Sequence, residues 1–244
     1  MTVLVTGGSS GIGRAVAEHW GSLGHDVVVN FHSDDAAAAE TARLVTAAGG
    51  TPHLVKADVG TADGVASIAD AVRGLTDSLD LYVHCAALAV TGRALEIDPV
   101  QLARAIAVNG TSLVPLTQSL LPVLQRGSSL VYVSSRGARS YVPSYVALGP
   151  TKSLGEALVR YLAVELAPRG VRANTVAAGP LDTPAFRTMF GDLAQTRLDA
   201  AAAANPSGRG LTVADVVGAV AWVASPAAAM VQGQTLMVDG GLSL

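Results

Sequence analysis

Short β-branched apolar runs recur along the chain, separated by longer stretches whose apolar positions follow a helical period. The runs are Val3-Leu4-Val5, Val27-Val28-Val29, His53-Leu54-Val55, Leu79 to Val83, Leu130 to Val133, Val171 to Val176 and Thr235 to Val238. Each predicts a strand buried on both faces, and the lengths between them suit right-handed crossovers through a helix. The pattern therefore predicts an α/β protein with one doubly wound, seven-stranded parallel sheet and helices on both faces, a single domain over 1–244. Ligands of such sheets bind beyond the carboxyl ends of the strands, which directs attention to the segments after Val5, Val83, Val133 and Val176.

The helical stretches are informative in turn. Ile12, Val16 and Leu23 predict an amphipathic helix after the first strand, Asp34 to Ala48 an alanine-rich helix stopped by Gly49-Gly50, and Thr61 to Leu75 another packing helix. A long pattern from about Pro99 to Leu124 contains Asn109 between small and apolar neighbours. An amide there is either a satisfied buried group or, beside an active site, one that bends the helix or holds a water. From 181 to 210 strand character is lost, and Pro184, Phe186, Met189, Phe190 and the run Ala200 to Ala204 predict a partly helical lid with an apolar wall; a helix pair that only packs is the alternative.

Composition narrows the class. With 244 residues, half of them hydrophobic and 14 % charged, the chain is suited to one large buried core. A net charge of −3 without any basic run argues against a nucleic-acid partner. Cys85 has no partner for an internal disulfide, the start lacks a signal-peptide pattern, and the apolar stretch Gly218 to Ala224 falls far short of the roughly 20 residues of a membrane span. A cytoplasmic location is expected. The histidines show no metal-ligand spacing, so no metal site is expected either.

Candidate chemistry begins at Thr6-Gly7-Gly8-Ser9-Ser10-Gly11-Ile12-Gly13. Glycines between a strand and a helix allow a tight turn and close approach of a pyrophosphate, and the helix N-terminus supplies free N–H groups. Gly7, Ser9, Ser10, Gly11, Ile12 and Gly13 are thus candidate dinucleotide-binding residues; a ligand-free turn is the alternative. The second strand ends at Asn30-Phe31-His32-Ser33 without a carboxylate for a ribose diol, which leans towards NADPH over NADH. Arg14, His32 and Ser33, near Phe31, are the candidate partners of a 2′-phosphate, although Ser10 stands where a basic residue would strengthen the case. Asp58, followed by Val59, is either an acceptor for an adenine amino group or a helix N-cap. After the fourth strand, Cys85, Ala86 and Ala87 are small enough to line a nicotinamide ribose, while His84 and Cys85 read as core residues without chemistry.

Together, the glycine motif, Asp58, Asn109, the Ser134-Ser135 pair, Lys152, Ala178-Gly179-Pro180 and the tail Gly233-Gln234-Thr235 to Val238-Asp239-Gly240-Gly241 resemble the short-chain dehydrogenase/reductase family over essentially the whole chain. The resemblance implies a Rossmann-like fold and a nicotinamide cofactor, with Gly179, Pro180, Asp182, Thr183 and Lys152 among its contacts. Two departures stand out. His84-Cys85-Ala86-Ala87 replaces the usual Asn-Asn-Ala-Gly, and Leu148 occupies the tyrosine position of Tyr-x3-Lys. Tyr145-x6-Lys152 instead resembles the enoyl-acyl-carrier-protein reductases, and the pair Tyr141 and Tyr145 is similar to their type III branch. The implied activity is reduction of an enoyl thioester, on an acyl carrier protein or a related acyl or polyketide carrier. The implied assembly is a homodimer or homotetramer built on surfaces that include Tyr161, Trp222 and the last strand.

On an unbroken helix, residues four and seven before Lys152 share a face, at about 40° and −20° of rotation. Pro150 suits a first helical turn, so the helix is expected to start near Gly149 or Pro150 and to leave Tyr145 on the preceding loop. Enoyl reduction delivers hydride to C3 while charge develops on the thioester oxygen, so a donor displaced outward suits it. Tyr145 is the expected donor, Tyr141 the second candidate, Lys152 the cofactor anchor, and Ser135 or Ser134 a carbonyl partner. A carbonyl reductase acting on a β-ketoacyl or polyketide substrate, and a cofactor-binding protein without turnover, are the competing readings.

Overall fold

The computed structural model describes residues 1–244 and contains one seven-stranded, wholly parallel sheet in the order β3-β2-β1-β4-β5-β6-β7. The strands are β1 (Thr2–Thr6), β2 (Asp26–Phe31), β3 (Thr51–Lys56), β4 (Leu79–His84), β5 (Leu124–Ser135), β6 (Arg172–Ala178) and β7 (Thr235–Val238). The helices are α1 (Gly11–Ser22), α2 (Asp35–Ala48), α3 (Ala62–Leu75), α4 (Pro99–Ile106), α5 (Leu113–Leu120), α6 (Gly149–Leu166), α7 (Pro184–Phe190), α8 (Ala194–Ala204) and α9 (Val213–Ala224). No helix is long and apolar enough to cross a membrane.

Alternation along the strands divides the interior into two layers. Leu4, Val28, Tyr82, Leu130 and Tyr132 face α3, α5 and α6, whereas Val3, Val5, Val27, Val29, Val83 and Val176 face α1 and α9. Side chains of a strand point alternately to opposite faces, so continuous apolar runs are what a sheet covered on both sides requires. The expectation of burial on both faces fails at the margins. The edge strand β3 leaves Leu54 43 % exposed, and every residue of β7 is only half-buried, because neither strand has a neighbour on its outer side.

Three local boundaries also differ from the sequence pattern. Leu23 does not extend the buried face of α1; it caps the helix and is exposed. The long helix expected from Pro99 to Leu124 is interrupted by a π-helical turn at Ala107–Thr111, then ends at Leu120. Its last expected residue, Leu124, instead begins β5, whose pairing with β4 shifts register between Leu79 and Leu81. Such single wide turns relieve the helical ladder where a backbone group is needed elsewhere. Here the group is the Asn109 carbonyl, which accepts a hydrogen bond from the Tyr132 hydroxyl.

Because β1 pairs with β2 on one side and β4 on the other, chain direction across the sheet reverses there, opening a crevice at the carboxyl ends. Tyr161 and Trp222, both exposed, lie on α6 and α9.

Candidate active site

A cleft of about 500 Å³ runs along that crevice from the glycine loop to Tyr145. At one end lie Gly7, Ser9, Ser10, Gly11 and Ile12, followed by Phe31, His32 and Ser33 at the end of β2 and by Asp58 and Val59 after β3. Cys85, Ala86 and Ala87 form the middle, and Ser135, Tyr145, Lys152, Gly179 and Thr183 the far end. The loop is shaped by close backbone contacts. Gly7 adopts φ +64°, and a Cβ on Gly13 would lie 2.2 Å from the Gly7 carbonyl oxygen, so only glycine lets α1 begin against β1. The Ser10 N-cap makes no side-chain cap bond, which leaves its hydroxyl and the first N–H groups of α1 free for an anion. These are the features a dinucleotide pyrophosphate needs.

Several candidates serve the walls and not the cleft. Gly13 packs behind the loop. The Arg14 guanidinium is spent on the Ser9 and Ala37 carbonyls and the Thr41 hydroxyl, tying the glycine loop to α2, so it is not a free 2′-phosphate partner. Asp182 is held by Arg187 on the surface, and Pro180 lines a separate cavity. Asp58 does not cap α3, since Thr61 does; its carboxylate pairs with Arg104 and accepts from Gly60 N–H at 2.9 Å. The Asn109 side chain is buried and saturated. It accepts from Leu88 N–H at 2.6 Å and donates to Leu88, Ala147 and Thr151, clamping the loop after β4 to the start of α6 without reaching the cleft.

Tyr145 lies on the loop, as the position of Pro150 implies, and α6 starts at Gly149 with Pro150 in its first turn. Its carbonyl accepts from Leu148 and Gly149 N–H at 3.0 and 2.8 Å, so the loop residue also closes the first turn of the helix. Ser144, immediately before it, has φ 60°, the left-handed conformation that costs energy in a residue with a side chain, and its carbonyl accepts from Gly92 N–H at 3.1 Å. The Tyr145 ring lies over Gly137, where a Cβ would approach its Cε1 to 2.6 Å, and stacks on Phe190 of α7 with centroids 6.1 Å apart. Gly137 was not singled out by sequence; a glycine two residues beyond the serine pair was its only signal. Tyr141 is 86 % exposed and does not line the cleft; it shares only a second, outer pocket with Tyr145, so it is not placed at the reacting position.

The Tyr145 hydroxyl is 3.3 Å from the Ser135 Oγ, which also accepts from Gly137 N–H at 3.2 Å. With that lone pair occupied, the serine proton is available to the tyrosine oxygen and the phenol proton to a ligand. Ser134 turns away and donates to buried Glu156 at 2.7 Å. Leu148 forms part of the cleft wall in the place where Tyr-x3-Lys would put a phenol.

With this geometry, similarity to known proteins becomes informative. A family model described as enoyl-(acyl carrier protein) reductase matches residues 7–243. A 1-cyclohexenylcarbonyl-CoA reductase of Streptomyces collinus is 34 % identical over 241 residues, covering 99 % of this chain and 86 % of that protein. The chain belongs to the short-chain dehydrogenase/reductase family. It is an oxidoreductase whose cleft takes a nicotinamide cofactor. Among solved structures of the family, LugOII, a promiscuous reductase catalysing keto-reduction at C1 during lugdunomycin biosynthesis, has a TM-score of 0.90 at 30 % identity, covering 100 % of this chain and 98 % of that one. LanV, an angucycline C-6 ketoreductase with bound NADP, has a TM-score of 0.88 at 30 % identity, with 99 % and 95 % coverage.

Within this family member the titratable groups are tuned mainly by burial. Burial raises the Tyr145 phenol above its ordinary range, partly offset by the Ser135 hydrogen bond, so it stays protonated at neutral pH. Lys152, only 4 % exposed, donates to the Val133 carbonyl at 2.8 Å and lies 4.7 Å from the Tyr132 ring centre. Burial draws its ammonium down to about 8. His84 is not isolated filler: Nδ1 is 2.6 Å from the Tyr82 hydroxyl and 3.2 Å from that of Thr6, while Nε2 is 3.2 Å from Ser112. Burial, reinforced by Lys152, pulls its pKa to about 3 and keeps it neutral, and burial lifts the Cys85 thiol to about 11, where it is unreactive.

Proposed function

We propose that this protein reduces the carbon–carbon double bond of an enoyl thioester with NADPH. The observation that carries the reading is the placement of the proton donor. A half-buried, neutral phenol at Tyr145 enters the cleft from a loop in front of α6, while Leu148 fills the position from which a carbonyl reductase of the usual pattern donates. The family description and the S. collinus enzyme, a reductase of a cyclohexenyl thioester by name, support the same chemistry.

When bound, a dihydronicotinamide supplies hydride to C3 of the enoyl group. Negative charge then develops on the thioester oxygen, where the Tyr145 hydroxyl donates a hydrogen bond, and a proton taken up from solvent at C2 completes the saturated thioester. Oxyanion stabilisation of this kind contributes roughly 3–4 kcal/mol. Ser135 orients the phenol, and Lys152 anchors the cofactor end of the reaction. Preference for NADPH rests on His32 and Ser33 at the open end of β2 and on the commitment of nearby acids to other partners: Asp34 to the α2 N-cap, Asp58 to Arg104. Helices α7 and α8 act as a lid over the acyl chain, with Phe186, Met189 and Phe190 as its apolar wall.

Carbonyl reduction is the second reading. It is favoured by the 3.3 Å Ser135–Tyr145 pair, a two-hydroxyl clamp that also suits a ketone oxygen, and by the keto-reducing activities named for LugOII and LanV. One assay separates the two: purified enzyme and NADPH with matched 2-enoyl and 3-ketoacyl thioesters, following loss of NADPH absorbance. Turnover of the enoyl compound is expected; oxidation by the ketoacyl compound alone would overturn the primary reading.

A further inference from the structure

Beyond Tyr145, on the side away from the glycine loop, lies a second cavity of about 310 Å³ that the scheme above leaves without a role. Its walls include Tyr145, Phe186 and Phe190, together with two cations, Arg136 and Arg197, and no acidic residue. The lack of counter-charge is unusual for this chain. Every other lysine and arginine except Arg126 makes a hydrogen bond or ion pair within the protein, including the buried Lys152 and the surface arginines of α2, α3 and α7. Arg136 and Arg197 are both half-buried and make none.

A guanidinium that gives up water without gaining an acceptor is destabilising, and stacking compensates only in part. Arg197 has such a stack: its Cζ is 4.4 Å from the Phe190 ring centre, and that ring is 6.1 Å from the ring of Tyr145. The Arg197 charge is therefore within about 10.5 Å of the Tyr145 ring. Arg136, which directly follows Ser135, is the second cation of the lining. Two unpaired forked donors thus border a small, partly apolar space that also has Tyr145 in its wall, a lining whose chemistry suits a carboxylate.

Reach decides which part of a substrate carries that anion. The phosphate of an extended pantetheine arm lies roughly 15 Å from the thioester, at the spacing of ordinary backbone bonds. A carboxylate five to seven bonds along the acyl chain falls within the upper limit of about 10.5 Å set for Arg197. We propose that the cavity is an anion subsite, and that the enzyme selects acyl substrates carrying a terminal carboxylate. The proposal rests on the Tyr145-centred reading of the site but concerns binding, so the two can fail separately.

Binding is measured by calorimetry on the enzyme saturated with NADP⁺, using the N-acetylcysteamine thioesters of octanedioic and octanoic acids, matched saturated probes that differ in the terminal carboxylate. The dicarboxylic probe is expected to bind at least about tenfold more tightly, as one pair of charge-assisted hydrogen bonds allows. Arg136→Gln and Arg197→Gln should each erode that preference, the double variant should abolish it, and Arg197→Lys should keep part of it. Equal affinities in the unmodified enzyme overturn the proposal, as does equal weakening of both probes by Arg197→Gln, which would assign that residue to packing on Phe190. Tighter, arginine-dependent binding of 4′-phosphopantetheine than of the dicarboxylic probe overturns it too, placing the anion on the carrier arm. Turnover of the corresponding 2-enoyl thioesters is read separately. A binding preference without enoyl reduction removes the assigned reaction and leaves the subsite standing; enoyl reduction without the preference does the reverse.

Discussion

The two loops that close on the cleft both depend on glycine, but for opposite purposes. In the first, Gly13 lets backbone meet backbone: its missing Cβ would lie 2.2 Å from the Gly7 carbonyl, six residues earlier in the chain. In the second, Gly137 makes room for a side chain from elsewhere, and its missing Cβ would meet the Tyr145 ring at 2.6 Å. The first glycine shapes a turn whose constraints are local. The second supports an aromatic ring held also by Phe190, by the Ser144 turn and by the Gly92 bridge. One loop is a rigid cradle; the other positions a reactive group through several long-range contacts at once.

This contrast assigns different consequences to neighbouring changes. The largest is expected for Tyr145→Phe, which removes the donor and keeps the ring stack. Its kcat should fall about 100- to 1000-fold, equivalent to roughly 3–4 kcal/mol, with cofactor affinity unchanged. Retention of full enoyl turnover would remove Tyr145 from the chemistry. Gly13→Ala should act on the other side of the comparison, forcing α1 away from β1 at a cost of about 3 kcal/mol and weakening cofactor binding. Thermal unfolding and fluorescence titration with NADPH read the two effects together. Gly137→Ala should spare cofactor binding but tilt the phenol, lowering kcat about ten- to a hundredfold. A matching loss of NADPH affinity would mean that the two loops are coupled and not separate.

A pH test addresses Lys152, which stands between the loops. Its ammonium titrates at about 8 in the folded protein and near 10.5 when unperturbed. The unfolded chain therefore binds more protons across that window, so stability should rise with pH from about 8 to 10.5, and Lys152→Met should flatten the slope. The kcat/KM for NADPH should change in the opposite direction, falling above about 8 as the cofactor anchor loses its charge. The smallest effect is expected for Tyr141→Phe, less than about twofold on kcat, because an exposed hydroxyl outside the cleft has little transition-state interaction to lose.

The sequence by itself determined the frame. Runs such as Val27-Val28-Val29 encode burial on both faces, the glycine loop encodes backbone conformation, and Pro150 marks where α6 begins; each is a constraint expressed within a few residues. It overextended the helix through Asn109 because hydrophobic period does not register a π-turn that frees one carbonyl for Tyr132. Arg14 was a candidate by its charge near the second strand and Tyr141 by its resemblance to a paired-tyrosine motif, yet neither charge nor motif says where a side chain points. Only the tertiary structure decided that Arg14 ties the glycine loop to α2, that Tyr141 faces solvent while Tyr145 meets Ser135, and that Arg136 and Arg197 share a cavity without a counter-charge. These outcomes depend on where separate elements bring their side chains together, and no local stretch of chain contains that information.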